Sequence, residues 1–241
     1  MPRPATQLRR CLLTVILLFL SISGSATEAG IIVFDTVTPP SRPVYIKVLT
    51  KGRLFPAGGQ RVRIEQDDHV LGHILTGGDG YGFLKVDFHT PGAHEVTAES
   101  NGDRATGSVL VVPPERPLIL IEIQGVSLTG TFFEMLPEEA RDVLVELSKS
   151  YELIYLAGGF GVQGAKRLIR TRRFPPSVVI LYRGRKTFRW LKGKGLHLHA
   201  AVGSSEFSDA AEGMVQRRFS IQGKTTTETI ENWNALPARL K

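Results

Sequence analysis

The stretch Leu118-Ile-Leu-Ile-Glu122-Ile-Gln124-Gly-Val126 decides the fold of this chain. Its apolar run is typical of a strand that is buried on both faces of a parallel sheet. Glu122 and Gln124 are two residues apart, so both side chains point to the same face near the end of that strand. Ligands of open α/β sheets bind at the carboxyl ends of the strands. The stretch therefore predicts a parallel sheet with a candidate site at Glu122 and Gln124.

From residue 118 to residue 241, apolar strands alternate with amphipathic helices. This alternation predicts an α/β domain with a mostly parallel, three-layer sheet and right-handed crossovers. The predicted strands cover 118–123, 151–156, 177–182, 196–202 and 218–222, and the predicted helices cover 137–148, 161–170, 208–214 and 228–236.

Residues 30–113 have a different pattern, with short alternating strands about ten residues apart and glycine or proline turns between them. This spacing predicts a β-sandwich. The predicted strands cover 31–34, 44–49, 60–65, 70–75, 81–88, 94–99 and 107–112. Residues 114–117, next to the Pro113-Pro114 pair, are interpreted as a short, stiff linker between the two domains.

Two runs in the sandwich region carry a resemblance to a known type of module. Gly77-Gly-Asp-Gly-Tyr-Gly-Phe83 and Pro91-Gly-Ala-His-Glu-Val-Thr-Ala98 resemble bacterial immunoglobulin-like and transthyretin-like domains, in which such turns start successive strands. The resemblance implies an immunoglobulin-like β-sandwich and says nothing about function.

Residues 1–29 have the features of a secretory signal peptide. Arg3, Arg9 and Arg10 form a basic region, and an apolar run follows from Cys11 to Leu20. That run has the length of a signal segment and is short for a membrane span. Cleavage is expected after Ala26 or Ala29, with an uncleaved anchor as the alternative. We expect export to the periplasm or the cell exterior.

Composition limits the remaining classes of protein. Cys11 is the only cysteine, so the mature chain has no disulfide, which is compatible with a bacterial periplasm. The full chain has a net charge of +7, and most of the excess lies in the C-terminal half. This basic cluster attracts an anionic membrane surface or cell-wall polymer, or else it is an ordinary solvated face. Nucleic acid is excluded as an expected partner, because the basic residues are not interleaved with aromatic ones.

The strand that ends at Glu122 also resembles the first motif of the HAD-like (haloacid dehalogenase-like) phosphatases. That motif is an apolar strand followed by Asp-x-Asp-Gly, and in this chain Glu122 and Gln124 occupy the two aspartate positions. The segment from Tyr151 to Leu181 resembles the lipin-like branch, with a strand, a helix and a Phe174-Pro-Pro turn.

The same resemblance implies positions for the other catalytic motifs. Ala157 stands where a phosphate-binding Ser or Thr is usual, and Lys192 or Lys194 matches the lysine motif. Ser204 occupies the position of the first metal-binding acid, and Asp209 lies one residue late for the second. Most of the catalytic residues are therefore replaced.

We interpret the chain as a HAD-like pseudoenzyme without a cofactor, whose expected function is binding or scaffolding at the cell envelope. Its partner is an unidentified protein, lipid or envelope polymer. The alternative is a divergent, Mg²⁺-dependent phosphohydrolase similar to phosphatidate phosphatases. Under that alternative, Glu122 attacks phosphorus and Glu206 or Asp209 holds the metal. A third hypothesis assigns recognition to the sandwich and only a supporting role to the α/β domain.

Two further patterns are weighed against simpler interpretations. Gly158, Gly159 and Gly161 lie between a strand and a helix that carries Lys166 and Arg167, so this turn could bind an anion. A tight strand-to-helix turn is the interpretation we favour. The pairs His197/His199 and His69/His73 could each contribute metal ligands, but neither has a third ligand at helpful spacing, and no metal site is predicted.

Overall fold

The computed structural model describes residues 30–123, 136, 138–158, 161–221, 228–230 and 232–240. The predicted signal peptide, Gln124 and Gly159 lie outside these residues, and so does Pro137. Within the described part of the chain, no helix is both long enough and apolar enough to cross a membrane.

Residues 30–111 form two antiparallel sheets that face each other. One has three strands in the order β1-β3-β6, and the other has five in the order β2-β8-β7-β4-β5, with β2 running parallel to β8. The seven predicted strands are present, and the structure adds the short strand β2. The strands are β1 (Gly30–Phe34), β2 (Thr36–Thr38), β3 (Val44–Lys51), β4 (Arg61–Gln66), β5 (His69–Leu75), β6 (Tyr81–Val86), β7 (Gly92–Ser100) and β8 (Asp103–Val111).

Alternation of side chains builds the core of the sandwich. In β3, Val44, Ile46 and Val48 are buried, and the residues between them point outward. Val62 and Ile64 of β4 do the same from the opposite sheet and belong to the same hydrophobic cluster. The period of two in the sequence therefore determines which residues enter the core.

Residues 118–240 form a six-stranded sheet with helices on both faces. The strand order is β11-β10-β9-β12-β13-β14, and every pairing is parallel. The elements are β9 (Leu118–Ile123), α1 (Glu138–Leu147), β10 (Glu152–Gly158), α2 (Gly161–Thr171), β11 (Val179–Tyr182), α3 (Arg185–Gly193), β12 (Leu198–Gly203), α4 (Ser205–Ala210), β13 (Arg217–Ile221), β14 (Glu228–Ile230), a 3-10 turn (Trp233–Ala235) and α5 (Leu236–Leu240).

Three elements differ from the prediction. Helix α3 was not predicted, because most of its residues are polar or charged and it brings only Phe188 and Leu191 into the apolar core. Helix α4 begins three residues earlier than expected, since Ser204 caps its first turn. The predicted closing helix over 228–236 is wrong in its first part: Glu228–Ile230 pairs with Phe219–Ile221 as a strand, because strand pairing overrides a weak helical pattern.

The central strand β9 separates two hydrophobic clusters. Ile119, Ile121 and Ile123 pack with α1, α2 and α5 on one face of the sheet. Leu118 and Leu120 pack with α3 and α4 on the other face. The second cluster also includes Val37, Leu110 and Val112 from the end of the sandwich. The core of the α/β domain therefore continues into the sandwich, which restricts the relative orientation of the two parts.

Asp35 fixes this junction with a buried carboxylate. It lies between β1 and β2, where the chain passes from one sheet of the sandwich to the other, and its side chain is only 3% exposed. Ser108 N–H donates to Oδ1 at 2.9 Å, and Val179 N–H donates to Oδ2 at 2.9 Å. The ammonium of Lys166 in α2 also binds Oδ1, at 2.5 Å. One side chain thus joins the sandwich to β11 and α2.

Replacing Asp35 should destabilise the whole chain. We expect Asp35→Ala to lower the free energy of unfolding by about 3–5 kcal/mol, since it leaves a partly buried ammonium and two N–H groups without their acceptor. Denaturant unfolding measures the change. Asp87→Ala, which removes an exposed carboxylate, is the matched control. Equal midpoints for the two variants would contradict this role for Asp35.

Candidate functional site

The candidate site lies where the order of the strands reverses. The chain leaves β9 toward β10 on one side and later returns to β12 on the other, and open α/β sheets bind their ligands at the carboxyl ends of the strands at such a point. Glu122 occupies this position in β9 as predicted. Its Oε2 accepts the backbone N–H of Ser204 at 2.7 Å. The carboxylate is therefore bound by the chain itself.

The surroundings of Glu122 are close-packed and largely apolar. Gly203 lies against its side chain, so a Cβ at position 203 would come within 2.6 Å of Glu122 Cβ and 2.8 Å of Phe207 Cδ1. The rings of Tyr182 and Phe207 are 5.1 Å apart, and Phe188 completes the aromatic cluster. These contacts restrict the space beside the carboxylate on the side toward α4.

Burial raises the pKa of the Glu122 carboxyl above its ordinary value of 4.5. The Ser204 hydrogen bonds oppose this effect, and the nearby charge of Glu206 adds to it. Burial, with a contribution from Glu122, also raises the pKa of Tyr182 to about 12. A carboxyl with a raised pKa keeps its proton to a higher pH than an exposed one.

The last predicted motif forms the start of α4. Ser204 caps the helix, and its Oγ accepts the N–H of Phe207 at 3.2 Å. Glu206 and Asp209 both lie on this helix with exposed side chains. Glu206 is close enough to Glu122 to affect its pKa. Among the described residues, no group of three or more His, Cys, Asp or Glu side chains is arranged to hold a metal ion.

The motif positions at Ala157, Lys192 and Lys194 lie away from Glu122. Ala157 is fully buried and pairs with Ile123, so it lies on the opposite face of the sheet. Lys192 and Lys194 lie at the end of α3, which runs back from the carboxyl end of β11 toward the start of β12. Lys192 Nζ donates to the carbonyl of Gly213 at 3.3 Å, and Lys194 Nζ lies 4.8 Å from the centre of the Trp190 ring. The described structure does not bring these lysines to the carboxylate.

The possible anion-binding turn lies between β10, which ends at Gly158, and α2, which begins at Gly161. Lys166 is already paired with Asp35, so its charge is neutralised within the protein. Arg167 is exposed on the same helix.

His199 on β12 and His197 just before it both contact a side-chain amide. The Nδ1 of His199 lies 2.9 Å from Gln216 Oε1, and the Nε2 of His197 lies 2.9 Å from Gln216 Nε2. The ring of His199 also stacks on Tyr151. These contacts account for both imidazoles without a metal ion.

Sequence reasoning did not identify Tyr182, Gly203 or Phe207 as neighbours of Glu122. The parallel register places Glu122 beside Leu156, and Gly203 follows the last residues of β12 that pair with β9. A glycine directly before the Ser204 cap was the one signal that could have indicated close packing at this point.

The comparisons with known proteins show only weak likenesses. No protein-family model and no curated protein sequence matches the chain. Among solved structures, a carbohydrate acetylesterase from Xanthomonas citri is similar over 88% of this chain and 73% of its own, with 10% identity and a TM-score of 0.39.

Two other structures are similar to separate parts of the chain. A deoxy-D-mannose-octulosonate 8-phosphate phosphatase from Haemophilus influenzae, a HAD-family enzyme, has 10% identity and a TM-score of 0.38, and the match covers 53% of this chain and 88% of that one. The D00-D0 domain of intimin has 13% identity and a TM-score of 0.31, over 38% of this chain. The chain spans about half, 51%, of that intimin structure. At these TM-scores the likenesses assign no family.

The packing at Gly203 generates a stability prediction. We expect Gly203→Ala to lower the free energy of unfolding by about 1–3 kcal/mol, because the added methyl group overlaps Glu122 and Phe207. Gly158→Ala is the matched control, since a Cβ at that strand end meets no atom within 4 Å. Thermal unfolding of both variants measures the difference. A Gly203→Ala variant as stable as the control would contradict the packing described above.

The raised pKa of Glu122 generates a pH prediction. Because its pKa is higher in the folded than in the unfolded state, Glu122 contributes stability below 4.5 that is lost as the pH rises through the folded pKa. Glutamine keeps an acceptor for Ser204 and does not titrate. We therefore expect the stability of Glu122→Gln, relative to the natural chain, to increase from acidic to neutral pH.

Denaturant unfolding across this pH range measures the effect. Glu139→Gln, at an exposed carboxyl of α1, is the control and should show a smaller pH-dependent difference. A difference between Glu122→Gln and the natural chain that stays constant with pH would show that burial does not perturb this carboxyl.

Proposed function

We propose that this chain is a non-catalytic, exported binding or scaffolding protein of the cell envelope. In this proposal the α/β domain descends from a HAD-like phosphatase of the lipin-like branch and has lost its catalysis. The sandwich belongs to the bacterial immunoglobulin-like modules. Glu122 at the carboxyl end of the central parallel strand supports this ancestry.

The hydrogen bond between Ser204 N–H and Glu122 Oε2 carries the non-catalytic part of the proposal. A nucleophilic carboxylate must present an oxygen to phosphorus within about 3–3.5 Å and in line with the leaving group. In this chain Oε2 is engaged by the backbone of Ser204, so that oxygen is not free to take this position.

The replaced motif residues support the same conclusion. Ala157 has no hydroxyl to bind a phosphate and lies on the opposite face of the sheet from Glu122. Asp209 has an exposed side chain, and no three acidic or histidine side chains among the described residues converge on a common point. A phosphohydrolase of this type needs a divalent cation to offset the charge of the phosphate.

The binding role is supported by the way in which the two domains are joined. Val37, Leu110 and Val112 of the sandwich are part of the core beneath α3 and α4. Asp35 adds the buried ion pair with Lys166. A junction held in one orientation can present a composite surface to a protein, a lipid or an envelope polymer, so we propose that both domains contribute to recognition.

Phosphatase assays separate this proposal from the Mg²⁺-dependent hydrolase. We expect the full-length chain to hydrolyse para-nitrophenyl phosphate no faster than buffer with Mg²⁺, because the carboxylate is engaged and the motif acids are replaced. Glu122→Ala should give the same rate, and Mg²⁺ should not raise the melting temperature.

Glu139→Ala is the matched control, since it removes an exposed carboxyl of α1. Turnover that requires Mg²⁺, disappears in Glu122→Ala and persists in Glu139→Ala would establish the hydrolase and remove the non-catalytic proposal.

A further inference from the structure

A cleft of about 600 Å³ lies between the sandwich and the α/β domain, away from Glu122. The edge strand β11 forms its floor, and α2 and α3 rise on either side of that strand. Strands β1 and β3 of the sandwich close the remaining side. Asp35 lies in its wall, so the contacts that join the two domains also shape this cleft.

Three cations line the cleft without forming an ion pair to a described carboxylate. Lys47, Arg183 and Lys186 all line it, and none of them has a carboxylate of the described residues within ion-pair distance. Asp35 is the one acidic residue in the lining, and it is already paired with Lys166. The cleft therefore has an excess of positive charge that the described part of the protein does not neutralise.

Lys47 is held in place by aromatic rings. Its Nζ lies 4.1 Å from the centre of the Tyr81 ring and 4.8 Å from that of Phe34. Burial lowers the pKa of Lys47, the charge of Arg183 lowers it further, and Asp79 opposes both. Two like charges that repel each other across a junction between domains are stabilised when an anion binds between them.

The floor of the cleft supplies a further donor. Strand β11 pairs with β10 on one side only, and Val179 directs its N–H away from β10 to Asp35. Successive backbone N–H groups of a strand point to opposite sides. Leu181, two residues after Val179, therefore directs its N–H to the same open side. Backbone N–H groups at a sheet edge are good donors to an anionic oxygen.

Most of the remaining lining is apolar, with Gln163 and Thr187 as its uncharged polar side chains. Ile32 and Val33 come from the sandwich, and Val162, Leu181 and Trp190 come from the α/β domain. Trp190 is a large aromatic side chain that is 41% exposed. Clefts of this size with apolar walls and a few convergent polar groups are typical ligand sites.

We propose that this cleft binds a phosphate monoester on an alkyl chain, with the phosphate between Lys47, Arg183 and Lys186 and the chain against the apolar wall. Three cations attract the double negative charge of a phosphate monoester. They would not attract a neutral group, and they would repel a cationic one. The inference rests on the proposed binding role and names its ligand class, at a site separate from Glu122.

Calorimetric titration of the full-length chain with octyl phosphate tests the proposal. We expect octyl phosphate to bind at least about tenfold more tightly than inorganic phosphate, because burial of two methylene groups already gives that factor. Octyltrimethylammonium, which has the same chain and the opposite charge, should bind more weakly than octyl phosphate.

A matched pair of double variants locates the site. Arg183→Glu with Lys186→Glu should weaken octyl phosphate binding by about tenfold or more, since two charge-assisted hydrogen bonds are lost. Arg189→Glu with Lys192→Glu changes the net charge equally, at two positions of α3 outside the lining, and it should leave the affinity nearly unchanged. All four side chains are outside the core, so both variants should fold.

Each contrary result overturns the inference. Equal weakening by the two double variants would show a general charge effect. Equal affinity for octyltrimethylammonium would show non-specific apolar binding, and equal affinity for inorganic phosphate would remove the role of the chain. Hydrolysis of octyl phosphate that depends on Glu122 would overturn the non-catalytic proposal alone. The Arg183/Lys186 double variant would still decide whether the cleft binds the phosphate.

Vesicles of phosphatidylcholine with phosphatidate distinguish the two sources of such a group. Binding to these vesicles that octyl phosphate displaces supports a membrane lipid as the source. Binding of dissolved octyl phosphate without binding to the vesicles supports a free alkyl phosphate.

Discussion

The carboxylate of Asp35 is the constraint on which the arrangement of this protein depends. A buried charge is tolerated only when it is paired and hydrogen-bonded, and Asp35 takes its partners from Ser108, Val179 and Lys166. The first belongs to the sandwich and the other two to the α/β domain. Because the three donors must meet one side chain, the edge strand β11 has to face the sandwich. The cleft beside β11 follows from the same requirement.

The partly buried carboxylate of Glu122 lies at the carboxyl end of β9, and the protein satisfies it in the same way. Glu122 obtains its donor from the backbone of Ser204, at the start of α4. Gly203 is required there, because a larger residue would displace the glutamate. Open α/β sheets bind their ligands at this point. In this chain, the contact between Glu122 and Ser204 occupies it and adds to the packing.

The basic residues of the C-terminal half therefore have distinct roles. Lys166 is a structural residue, neutralised by Asp35, and Lys192 binds a backbone carbonyl. Arg183 and Lys186 have no acidic partner among the described residues and face an apolar wall. Position in the fold, rather than the overall charge, separates the cations that support the structure from those that can bind an anion.

The sequence by itself determined the two classes of architecture and most of their strands. A period of two gave the buried residues of β3 and β4, and the continuous apolar run of β9 predicted a central parallel strand that ends at Glu122. These features are local, since each follows from the spacing of apolar residues along one segment. Tertiary structure decided the strand at 228–230, the helix α3 and the partners of Asp35, Glu122 and Lys166. Each of these depends on residues far apart in the chain, whose proximity arises only when the sandwich and the six-stranded sheet pack together. No spacing within a segment encodes it.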